Sequence, residues 1–94
     1  MKRVAVVIKN IEKKEDALRT VQGFNDKGNR IELFVLDHDL EIFSRLFMQN
    51  RILLSEISGC YSDNPLNKDR FNFQYATSEM IAEHLKQADF IIPF

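Results

Sequence analysis

The chain has 94 residues, with 13 Lys and Arg against 14 Asp and Glu, a formal net charge of -1 and 45% hydrophobic residues. That length suits one domain over 1–94, burying about 60–65% of the surface of its unfolded form around a thin core. The balance excludes a disordered chain and the basic stripe of a nucleic-acid binder, and no run approaches the roughly 20 apolar residues of a membrane helix. The apolar run after Met1-Lys2-Arg3 is also too short for a signal peptide. A cytoplasmic location is therefore expected. The single cysteine cannot form an internal disulfide, which fits a reducing compartment.

Val4-Ala5-Val6-Val7-Ile8 is continuous, apolar and β-branched, as suits a strand covered on both faces. Glu12 to Lys27 follows with helical spacing. Ala17, Val21 and Phe24 form its stripe, Leu18 lies beside them, and Gly28 reads as the stop. Ile31 to Leu36 is the second strand, closed by Asp37-His38-Asp39. Asp39 can cap a helix of Leu40 to Gln49 that turns Leu40, Phe43 and Phe47 inward.

Ile52 to Ser58 is read as the third strand, at an edge that tolerates Ser55 and Glu56. Gly59 to Ala76 is then a long polar loop, of the kind that often carries function. Thr77 or Ser78 caps a helix reaching Gln87, with Met80, Ile81, His84 and Leu85 inward. Ala88 to Phe94 is a last short strand. Strict alternation of these elements predicts an α/β fold. It would be a small, doubly wound, mainly parallel sheet of four or five strands with helices on both faces.

Ligands of open parallel sheets bind outside the carboxyl ends of the strands. Here that edge gathers Lys9, Asn10, His38, Tyr61 and Ser62 around Cys60, which is placed just past the third strand. A thiolate is a strong nucleophile, and helix N-termini can lower a thiol pKa, so Cys60 is the sharpest candidate. The alternative is an inert thiol. His38 is either a base between two carboxylates or part of a solvated turn, the turn being favoured. His84, on an apolar stripe, reads as a half-buried packing residue rather than a ligand.

Two histidines and one cysteine lack zinc spacing, so no metal is expected. The turn Lys9-Asn10-Ile11-Glu12 lacks the glycines of a nucleotide cradle, so no cofactor is expected either. The same lack weighs against a flavodoxin-like ligand-binding domain. Phe71, Phe73 and Tyr75 alternate with polar residues, as in an extra strand, an interface strip or a lid.

Several segments together resemble the DsrE/DsrF family of sulfur-relay proteins, which includes the TusD-like subunits. They are the opening RVAVVI, the run Gly28-Asn29-Arg30-Ile31-Glu32-Leu33-Phe34, a strand entering Glu56-Ile57-Ser58-Gly59-Cys60, and the closing His84 to Ile91. The resemblance implies a persulfide carrier. Cys60 would take sulfane sulfur from a donor and pass it to an acceptor thiol on a sulfur-carrier protein. It also implies a trimer or hexamer, of one chain or with related subunits. Some family members serve only as assembly partners, so a non-catalytic oligomeric interaction subunit is the alternative. The apolar Phe43, Leu46, Phe47, Met48 and the Phe71–Tyr75 strip suit an oligomer independently.

Overall fold

The structure, a computed structural model, describes all 94 residues. β1 (Arg3–Ile8) leads through a 3-10 turn (Ile11–Lys13) into α1 (Lys14–Asp26) and β2 (Arg30–Val35). A second 3-10 turn (Leu40–Phe43) opens α2 (Ser44–Gln49), followed by α3 (Arg51–Glu56) and β3 (Gly59–Ser62). A third 3-10 turn (Pro65–Asn67) precedes β4 (Phe73–Tyr75), α4 (Ser78–Lys86) and β5 (Phe90–Pro93). No helix is long and apolar enough to cross a membrane.

The five strands form one parallel sheet in the order β4-β3-β2-β1-β5. The first three connections step across the sheet in one direction. The fourth, carrying α4, returns over the whole sheet to the far side of β1. That reversal puts α4 on the opposite face from α1, as right-handed crossovers require. The expected doubly wound α/β sheet is therefore present.

The alternation of strand side chains divides the core in two. Val4, Val6, Ile8, Ile31, Leu33, Val35, Cys60 and Phe73 face α1, α2 and α3. Ala5, Phe34 and Tyr61 face α4, whose Ile81 and Leu85 cover them. On the first face Phe47 stacks between Phe43 and Phe73, with ring centroids 5.2 and 5.4 Å apart. Such aromatic pairs add to the stabilisation from area burial alone. Caps fix the element starts. Asp39 accepts the Glu41 N–H at 2.9 Å and Thr77 the Met80 N–H at 3.2 Å. Gly28, at φ 78°, ends α1 in the left-handed conformation that glycine adopts without strain.

Several expectations are corrected. Residues 52–58 are not the third strand: Arg51–Glu56 is α3. Leu53, Leu54 and Ile57 are buried at helical spacing, and a short apolar run does not distinguish helix from strand until its partners are known. The strand comes later, as Gly59–Ser62, so 59–76 is not a structureless loop. Cys60 consequently lies within β3, opposite Leu33, rather than past its end. Of the readings of the Phe71–Tyr75 segment the extra strand holds, as β4, and Phe73 and Phe71 turn into the core rather than form an interface strip, while Met80 is half-exposed rather than inward.

Candidate functional site

Cys60 points into the helix-covered face, among Leu33, Leu54, Ile57 and Phe73, with 3% of its surface exposed. Burial pushes its thiol from 9.0 up to about 12. A thiol held so high is protonated at neutral pH. A shallow cavity of about 200 Å³ between α3 and the β3–β4 edge, with Ser58, Asn72 and Gln74 on its walls, reaches this cysteine.

The residues expected to surround Cys60 do not converge on it. At the carboxyl edge the polar groups tie loops together. His38 Nε2 donates to the Lys9 carbonyl at 2.7 Å, and Asn10 caps the first 3-10 turn by accepting the Glu12 N–H at 3.0 Å. Buried Ser62 accepts from the Asn67 side-chain amide at 2.8 Å, and Asn67 in turn accepts the Leu40 N–H at 2.8 Å. The Asp37 N–H donates to Asp63 at 2.8 Å.

The strand order reverses at β1, where a crevice beside β5 would form the ligand site of an open sheet. This chain fills it. Pro93 has no N–H for the ladder, so Phe94 donates to the Val7 carbonyl at 2.8 Å. The Phe94 carbonyl then takes the Lys9 and Asn10 N–H groups at 2.8 and 3.1 Å. The amides that could have met an anion are thus already satisfied.

Tyr61 faces the other side of the sheet from Cys60. Its ring lies 5.4 Å from that of Phe34 and 4.6 Å from that of His84. His84 packs there half-buried, as expected, and also meets a carboxylate. Its Nδ1 is 3.0 Å from Glu32 Oε2, and Arg3 Nη2 is 3.6 Å from Glu32 Oε1. Arg3 Nη1 donates to Gln87 at 3.1 Å, and the Arg3 N–H donates to Asp89 at 2.8 Å. Burial first, and then the charge of Glu32, raise the Tyr61 phenol above its ordinary value.

This cluster clamps the carboxyl half of α4 onto the sheet and supplies a buried carboxylate with partners. Sequence reasoning missed Glu32 and Arg3. The available signal was one acidic residue inside the otherwise apolar run Ile31–Leu36, in register with a histidine on an apolar helix stripe.

No protein-family model and no curated protein matches the chain. The three polar groupings serve the fold: the thiol is sequestered, the carboxyl edge is self-satisfied, and the Glu32 cluster binds a helix. The solvent-facing surface also carries large apolar side chains. Phe90 and Ile91, at 50% and 51% exposure, lie on the two faces of edge strand β5, and half-exposed Met80 lies on α4. Ile42, Met48 and Ile52 are exposed along the 3-10 turn, α2 and α3.

Proposed function

We propose that this chain is a non-catalytic, self-associating subunit of a DsrE-like α/β assembly, in which α4 and β5 form the contact surface. The observation that carries this reading is the exposure of Phe90 and Ile91 on β5. An edge strand offers unpaired backbone groups, and soluble proteins usually blunt it with charge. Within Phe90–Pro93 no residue is charged, and only Pro93 limits pairing. A cytoplasmic setting belongs to the same reading. Light scattering at tens of micromolar should give a mass well above the 11.0 kDa of one chain. Ile91→Lys should lower that mass and Cys60→Ala should leave it alone. A clean wild-type monomer would sink the proposal.

A second reading, sulfur carriage by Cys60, is supported by the cavity that reaches its side chain. It requires α3 or β4 to move so that the thiol meets a donor. The thiolate would then attack the outer sulfur of a donor persulfide, releasing the donor thiol and leaving the sulfane sulfur on Cys60. Incubation with a small-molecule persulfide should add one sulfur to wild type and none to Cys60→Ala by mass spectrometry. A native thiol that neither takes sulfur nor reacts with iodoacetamide removes this reading.

A further inference from the structure

The surface opposite α4, between α1 and the Leu40–Gln49 segment, holds a groove built of two adjoining hollows of about 260 and 410 Å³, which share Glu15 and Leu46. Its apolar lining is Leu18, Leu46 and the exposed Ile42, set among the neutral polar Gln22, Gln49 and Asn50. Its rim carries Lys14, Arg19 and Arg45 against the single carboxylate Glu15. In a chain of net charge -1 this is a local reversal of sign. Lys14 and Arg45 form no ion pair within the chain, and Arg19 has only an exposed contact with Asp16 at 3.8 Å. Such a contact is worth little.

The outer side of α4 carries the opposite pattern. Met80 is half-exposed between Glu79 and Glu83, and Lys86 lies one turn on, 3.2 Å from Glu83. Two carboxylates and one cation flanking an apolar side chain match three cations and one carboxylate flanking an apolar lining. We infer that the α1–α2 groove receives α4 of a second copy of this chain. Met80 would meet Ile42 and Leu46, with the glutamates against Arg45, Arg19 and Lys14. A helix laid by its apolar residues into a groove is a common mode of recognition.

The inference rests on the self-association proposed above and adds the α1–α2 groove as the surface that α4 meets. Groove and helix are different surfaces, so each contact leaves one groove and one helix free. Such head-to-tail contacts close into rings when the rotation permits. The mixed charge disfavours nucleic acid in the groove, because Glu15 sits where the two hollows meet and no aromatic side chain lines it.

Charge reversal tests this directly. Arg45→Glu and Glu83→Arg should each raise the dissociation constant about tenfold or more, and the double variant should recover most of the loss. An equimolar mixture of the two single variants should associate again in alternating order, because both contacts between unlike chains pair opposite charges while contacts between like chains oppose equal ones. Circular dichroism checks that each variant is folded. If wild type associates and neither single variant changes its mass, or the double variant is no better than either, the groove is not the receptor while self-association stands. A monomeric wild type overturns both.

Discussion

Cys60 shows how one strand position decides chemistry. One residue of β3 in either direction would turn the side chain to the α4 face, but the observed register buries it beside Leu33. With its thiol held at about 12, folding keeps Cys60 protonated where the unfolded chain would ionise it, near 9.0. The resulting stabilisation is complete below pH 9 and is lost as pH rises from about 9 toward 12. In urea melts, the stability advantage of wild type over Cys60→Ala should therefore shrink across that range and stay flat between pH 6 and 8.

Gly59 is constrained by close approach. A Cβ there would lie 2.8 Å from a Tyr61 ring carbon and 2.9 Å from its hydroxyl. Gly59→Ala should displace that ring from Phe34 and His84, cost about 1–3 kcal/mol, and change the fluorescence of a protein with two tyrosines and no tryptophan. At Gly28 a Cβ meets nothing within 4 Å, so the cost of Gly28→Ala is conformational. It should be about 1–2 kcal/mol in thermal or urea unfolding.

The elements depend on contacts of different range, and this decides which were readable in sequence. α1, the turn capped by Asp39 and the helix capped by Thr77 were legible because cap, stripe and stop are local signals. β1 was legible as an unbroken β-branched run and β2 as an apolar run interrupted only by Glu32. α3 and β3 were not. Leu53, Leu54 and Ile57 acquire their helical meaning only from the core they enter, and the polar Gly59–Ser62 becomes a strand because β2 and β4 flank it. That one shift moved Cys60 from an exposed edge to the interior, so the site reading depended on the least local part of the fold.

The clamp on α4 is likewise non-local. In a double-mutant cycle, Glu32→Ala and His84→Ala should couple by about 1 kcal/mol or more, because either change removes the same contact. Glu32→Gln should cost less than Glu32→Ala, since an amide oxygen still accepts from Arg3 or His84.

Across the whole molecule the two faces of the sheet are unequally protected. Three helices cover one and a single helix the other, yet solvent-facing apolar groups lie on both, Ile42, Met48 and Ile52 on the first and Met80 on the second, and the proposed self-association draws on both. The order of strands carries a kinetic corollary as well. β1 is made first, yet it is an interior strand whose outer neighbour is β5, and the bond from the Arg3 amide to Asp89 spans 86 positions. Closing such a separation is slow compared with forming α1 against β1 and β2. During biosynthesis Val4–Ile8 must therefore wait, with one row of backbone groups bare, until β5 has been made and has emerged, a window in which nascent copies are prone to mispair strand to strand.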